Sequence, residues 1–188
     1  MNDSYLQHIM LEARERVLLK KNRNLNFLLQ QRYEWIAAQI KPHEKGLELG
    51  AGAGHSKMFL QDYEYATTEK YNWPWIEIPG RSAIDTGLPD ASFDYIFAVN
   101  VLHHVDKPIK MLGEAQRLLK PGGRLILIDA YSSLLFRFVM RLIYHEHCNE
   151  KVDVFSPGYS LSRLARTSWD GNNSTAKLMF SQTEKLKT

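Results

Sequence analysis

Gly50, Gly52 and Gly54 stand at every second position of the run Gly46-Leu47-Glu48-Leu49-Gly50-Ala51-Gly52-Ala53-Gly54, and a helical-looking His55-Ser56-Lys57-Met58-Phe59-Leu60 follows. Lacking a Cβ, glycines take positive φ and let a ligand lie directly against the main chain. One glycine serves an ordinary strand-to-helix turn, so three in five residues point to a ligand loop. Glu69, roughly 20 positions after Glu48, stands where doubly wound folds use a carboxylate to accept both ribose hydroxyl hydrogens. A dinucleotide site would need a third glycine where His55 stands, so the pyrophosphate fingerprint is broken and a nicotinamide or flavin oxidoreductase is disfavoured. Further along, Asn100 ends an apolar run and His103-His104 follow. Residues just past a parallel strand face the ligand crevice, and an imidazole there suits a general base near neutral pH. Sequence neighbours point different ways, so at most one histidine faces the crevice, and a packing or capping role is favoured for the pair. His145 and His147, two apart, share no helix face, so no zinc site is expected.

The elements that must position these groups read as an α/β chain. Residues 4–21 carry Leu6, Ile9, Met10, Ala13 and Val17 at helical spacing, and Leu25 to Ile40 reads as a second helix stopped by Pro42. Leu47 and Leu49 alternate with Glu48 as a short strand would, and Tyr63 to Thr68 reads as a second strand ending at Glu69. Trp75–Ile78 and Ser82–Ile84 compete for the third strand. Between Glu69 and Asp85, Trp73, Pro74, Trp75 and Pro79 replace helical periodicity, and two tryptophans anchoring a short loop is the favoured reading. Phe93 to Val99 suits a central parallel strand. Asp106 is expected to cap the next helix and Pro108 to open it. Ile109, Leu112, Ala115 and Leu119, joined by Met111 and Leu118, should make its buried stripe. Lys120 to Gly123 should end that helix, and Arg124 to Asp129 reads as the fifth strand.

Composition bounds the partners. The chain has 188 residues, 44% hydrophobic and 24% charged, which suits one domain with a real core. A net charge of +3 with no dense basic block gives no case for nucleic acid. Cys148 is the only cysteine, so no intrachain disulfide or cysteine metal cluster is available. Asp3, Glu12 and Arg14 fall where a signal peptide needs an apolar core, and no uncharged run would span a bilayer. A cytoplasmic setting is the default expectation.

The string LELGAGAG before a helix resembles the first motif of the class I S-adenosylmethionine-dependent methyltransferases. Two later segments carry the same resemblance. Asp85-Thr86-Gly87-Leu88-Pro89 leading to Ser92-Phe93-Asp94 is similar to the family's acid, Leu-Pro turn and strand opening, and Leu119-Lys120-Pro121-Gly122-Gly123-Arg124-Leu125 is similar to its next hallmark. The resemblance covers residues 46–130. It implies a doubly wound, Rossmann-like, mostly parallel sheet, here with two N-terminal helices. It also implies S-adenosyl-L-methionine as cofactor and transfer of its methyl group to an acceptor. Glu48, Gly50, Ala51, Gly52, Glu69, Asp85, Thr86 and Asn100 then fall at cofactor positions. Glu48 would orient the amino group of the methionine part, Glu69 would bind the ribose, and Asp85 would accept from the adenine amino group. Thr86 belongs to the neighbouring backbone that supports the ring, and Asn100 would lie next to the methyl. A cofactor-binding scaffold without transfer activity is the alternative.

The organisation that follows is a helical extension over 1–41, a cofactor-binding core over 42–130, and a helical lid or substrate region with a tail over 131–188 of the same domain. Leu134 to Tyr144 is apolar almost all round, with Ser133, Arg137, Arg141 and His145 as one narrow stripe. Such a helix is buried, is a lid over an apolar acceptor, or seats on a membrane surface; a buried or lid helix is favoured. An apolar small-molecule or lipid acceptor follows, with peripheral membrane contact through 132–144 as the weaker reading. Val152–Phe155 and Ala176–Phe180 read as short extended pieces, and Thr167–Ser174 as a flexible polar loop. No convincing sixth and seventh strands close the sheet, so it is short, or the chain is truncated relative to its relatives.

Overall fold

The computed structural model describes residues 3–143, 148–161 and 171–182. Two helices, α1 (Asp3–Leu18) and α2 (Arg23–Ala37), precede β1 (Gly46–Leu49), a short α3 (Ser56–Phe59), β2 (Tyr65–Glu69), β3 (Ile78–Pro79) and β4 (Phe93–Val99). A 3₁₀ turn at Leu102–His104 leads to α4 (Pro108–Leu118), β5 (Leu119–Ile128), α5 (Leu134–Ile143) and α6 (Thr175–Phe180). The strands form one parallel sheet in the order β3-β2-β1-β4-β5. Strand order reverses between β1 and β4, and the crevice for a ligand lies past the carboxyl ends of those strands.

Period-two alternation divides β4 between two cores. Ile96 and Ala98 join Leu47, Leu49, Met111, Ala115, Leu118 and Met179 on one face. Tyr95 and Phe97 join Tyr65, Leu29, Tyr33 and Ile36 on the other, so α2 covers this second face. Fully burying side chains such as Leu47 and Ile36 stabilises the fold by roughly 1.5–3 kcal/mol each.

Several sequence expectations shift. The third strand is only Ile78–Pro79; just past it the Arg81 amide still donates to the Glu69 carbonyl at 2.9 Å, and the chain then turns at Ser82–Asp85. The buried side of α4 is Pro108, Met111, Ala115 and Leu118, while Ile109 is exposed. Asp106 does not cap α4; its Oδ1 accepts from Ser160 Oγ at 2.7 Å. β5 already starts at Leu119, where Leu119 pairs with Phe93.

The C-terminal expectations change more. Residues 152–155 form turns, and Ala176–Phe180 is helix, packing Ala176 and Met179 into the first core. Of the expected polar loop, residues 172–174 are buried. Asn172 makes this affordable: its Oδ1 accepts from the Asn149 and Ser174 amides, its Nδ2 donates to the Asn149 carbonyl, and its own amide donates to His103. His145, Glu146, His147 and residues 167–170 lie outside the described residues. Nor is α5 buried along its described side chains: Leu134 is 78% exposed, Leu135 73% and Phe138 62%. Among the described residues no helix is long and apolar enough to cross a membrane.

Candidate functional site

Past β1 the backbone enters the left-handed region at Gly50 (φ 70°) and again at Gly52 (φ 53°). A Cβ built on Gly52 would meet no heavy atom within 4 Å, so the main chain there faces open space. The loop is held from three sides. The Gly52 amide donates to Glu69 Oε2 at 3.1 Å, and Trp75 Nε1 donates to the Gly52 carbonyl at 2.8 Å. From α1, Arg14 Nη1 donates to the carbonyls of Ala53 and Gly54 at 3.1 and 3.2 Å. The sequence put Trp73 and Trp75 in an anchoring role, and neither lines the cavity that opens here.

That cavity has a volume of about 570 Å³ and spans the ends of β1, β2 and β4. Glu48, Gly50, Ala51, Gly52, Glu69, Asn100 and His104 all line it. Helices α1 and α2 wall it with Met10, Ala13, Arg32 and Tyr33, residues that helical periodicity alone could not assign to a ligand.

Two carboxyl groups sit on this wall. Glu48 is buried, and Ser56 Oγ donates to its Oε2 at 2.5 Å. Burial pushes its pKa up to about 7, and the Ser56 hydrogen bond only partly opposes this. Glu69 is also raised by burial, opposed by the amides of Gly52 and Lys70, one on each carboxylate oxygen. Each oxygen keeps acceptor capacity for a ligand hydroxyl.

The second crossover, from β4 to α4, is built from side chains. Asn100 takes φ 55°, donates its amide to the Ile128 carbonyl at 2.7 Å, and is exposed on the cavity side. His103 turns inward, where its Nδ1 lies 2.5 Å from Asp129 Oδ1. Asp129 also accepts the amides of Leu102 and Ala130, each at 2.8 Å. His104 is exposed and lines the cavity, its ring packed on that of His103 with centroids 4.0 Å apart. The sequence marked Asp129 only as a strand end; an acid closing an apolar strand beside a His-His turn was the signal available.

Asp85 and Thr86 do not themselves line this cavity. The Asp85 amide donates to the Ser82 carbonyl at 3.1 Å, closing a tight turn that leaves the Asp85 side chain exposed and puts Ser82, Ala83 and Ile84 on the cavity wall. Thr86 is buried instead against α4, where its Oγ1 and amide donate to Glu114 Oε1 at 2.6 and 2.8 Å. Arg117, which donates to both oxygens of Glu114, holds that carboxylate at a pKa of about 2.

Comparison with known proteins agrees with this architecture. A family model for the methyltransferase domain matches residues 47–127. The uncharacterized methyltransferase YcgJ of Bacillus subtilis is 28% identical over 116 residues, covering 50% of this chain and 44% of that protein. Its crystal structure superposes with a TM-score of 0.54 at 20% identity, covering 87% of this chain and 68% of that one. A SAM-dependent methyltransferase from Thermotoga maritima gives 0.54 at 24% identity, covering 87% and 76%. The hybrid PKS-NRPS synthetase LUC5 of a Fusarium species is 27% identical over 117 residues, covering 50% of this chain and 3% of the synthetase. The chain thus spans less than half the length of these curated relatives.

Proposed function

Residues 47–127 belong to the methyltransferase domain family, and on that premise we propose that the protein transfers the methyl group of S-adenosylmethionine to a small-molecule acceptor. The observation that carries this reading is the bare main chain at Gly52, open to a cavity of about 570 Å³ between the carboxyl groups of Glu48 and Glu69. A volume in the range of roughly 300–1,000 Å³ suits a ligand of this size. The residues present fit the cofactor. Glu69 would accept from its ribose hydroxyls, Glu48 from its amino group, Ala51 and Gly52 would offer main chain, and Ala83 and Ile84 an apolar wall for its base.

The cofactor supplies an electrophilic methyl on a sulfonium. The chain's own contribution is to hold both reactants in line, which can lower a barrier by roughly 7–11 kcal/mol. Asn100 would border the methyl. His104, not His103, is the imidazole that would take a proton from a hydroxyl or amine acceptor. On this reading residues 42–130 are the binding core, 1–41 close over it, and 131–188 form the acceptor side, of which Leu161 reaches the cavity. The exposed Leu134, Leu135, Phe138 and Leu142 of α5 support an apolar or lipid-like acceptor met at a membrane surface.

Calorimetry with S-adenosylhomocysteine tests the cofactor reading; folded protein that fails to bind it rejects the proposal. Label transfer from methyl-labelled cofactor into any acceptor of a crude extract would exclude the alternative of an inactive binding protein.

A further inference from the structure

The turn between α1 and α2 sets three cations beside apolar side chains that face solvent. Leu18, Leu19, Phe27 and Leu28 are each more than half exposed. Lys20, Lys21 and Arg23 stand between them, also exposed, and none makes an ion pair with a described residue. Residues 18–28 hold these three cations and no acid, so their charge equals the +3 of the whole chain. The turn is firmly built. Lys20, at φ 49°, ends α1, and Asn22 Oδ1 accepts from the Leu25 amide at 3.0 Å to start α2. Val17 and Leu29 anchor the two helix ends in the second core. Arg23 opens α2, where the helix dipole disfavours a cation and the first turn offers no acid, so the fold gains nothing from that charge.

The exposed face of α5 differs, because its Arg137 is spent on Glu150 at 2.8 Å. A second copy of the chain would have no use for a cluster of cations, and a nucleic acid none for the leucines and Phe27. An anionic bilayer takes both, apolar side chains at the headgroup boundary and cations on lipid phosphate. We propose that the α1–α2 turn docks the protein on an anionic lipid membrane. Leu29 and Arg32, within the next turn of α2 after Leu28, line the cavity, so the docked segment lies about one helical turn, roughly 5 Å, from it. An apolar acceptor dissolved in the bilayer then reaches the site without crossing water. That consequence rests on the methyl-transfer reading above; the docking does not.

Sedimentation with vesicles tests the docking. The full chain should sediment with vesicles of phosphatidylcholine and phosphatidylglycerol in equal parts, and not with phosphatidylcholine alone. Lys20→Gln with Lys21→Gln and Arg23→Gln should weaken the binding roughly 100-fold, and added salt should weaken it in the wild type. Phe27→Ser with Leu28→Ser should weaken it roughly 10- to 100-fold. All five positions are exposed, so both variants should melt as the wild type does and bind S-adenosylhomocysteine equally well. Wild-type protein that ignores anionic vesicles, or binds both kinds alike, overturns the proposal. So does unchanged binding in either variant. RNA binding that needs only the cations would assign the turn to nucleic acid, and a dimer in light scattering that Phe27→Ser dissociates would assign it to a second copy; without vesicle binding, either result also overturns it. Failure here leaves the calorimetry of the cofactor untouched, so the two readings fall separately.

Discussion

Both ligand-facing strands leave the sheet in the same way, and then diverge. β1 enters left-handed backbone at Gly50 (φ 70°) and β4 at Asn100 (φ 55°), in each case the first residue past the strand. The two turns touch: a Cβ on Gly50 would come within 2.8 Å of the Val101 side chain. Beyond that point the first crossover presents main chain and is held by side chains reaching in from Arg14, Glu69 and Trp75. The second presents side chains and is held by one carboxylate, Asp129, that gathers His103 and two amides. Recognition by backbone needs local glycines. Recognition by side chains needs partners that the fold must bring together.

The largest effect should come from removing that gathering carboxylate. Asp129→Ala leaves His103 and the Leu102 amide without their partner in a buried setting, and each donor left unsatisfied there costs about 1–3 kcal/mol. Urea unfolding measures it, and a loss below about 1 kcal/mol, the worth of an ordinary hydrogen bond, would mean the second crossover is not held this way.

At the first crossover the comparable burden is Glu48. Its folded pKa of about 7 lies above the ordinary carboxylate value of 4.5, so the protonated form is favoured on folding. The stability tied to that proton is complete below about pH 4.5 and is lost as pH rises through about 7, amounting to about 3 kcal/mol. Glu48→Gln should flatten this slope relative to the wild type. If the two pH profiles run parallel, Glu48 is ionised throughout and the polarity assigned to this end of the cavity is wrong. A bound ammonium would favour the carboxylate, so S-adenosylhomocysteine should bind more tightly at pH 8 than at pH 6 in the wild type, and without that trend in Glu48→Gln.

This contrast also explains what could be read from the sequence. The sheet, the glycine loop and the place of Glu69 at the end of β2 were legible because periodicity and glycine spacing are local signals. That Glu48 and Asn100 line the cavity was legible because ligand crevices form past the ends of parallel strands. For Asp85 a motif gives only its order along the chain, whereas the Ser82–Asp85 turn decides which neighbours line the cavity. Asp129 was missed because its partners, His103 and the Leu102 amide, are far away in sequence. Ala176–Phe180 read as extended, but the burial of Ala176 and Met179 in the first core sets it as a helix, a case of tertiary packing overriding a short pattern.

Gly52→Val sharpens the comparison from the ligand's side. Its Cβ direction is empty of protein, so the substitution should bring only the strain of a left-handed side chain, roughly 1–2 kcal/mol. A ligand resting on that main chain would collide with the valine. Overpacking costs of about 1–3 kcal/mol translate to roughly 10- to 100-fold weaker binding of S-adenosylhomocysteine. Unaltered affinity would place the ligand elsewhere in the cavity.

The smallest effect is expected at Asn100, where the two crossovers are most alike. If left-handed backbone is all that the position requires, Asn100→Gly should leave stability within about 0.5 kcal/mol of the wild type, while Asn100→Ala should lose roughly 1 kcal/mol, since alanine tolerates φ near 55° poorly. The choice of asparagine over glycine then has to be explained by its amide, which faces the cavity. Asn100→Gly should therefore keep the fold and the affinity for S-adenosylhomocysteine close to wild type but lower the rate of methyl transfer once an acceptor is in hand. A glycine variant with full activity would make the second crossover a turn like the first, and would leave His104 and Asp106 as its polar residues on the cavity wall.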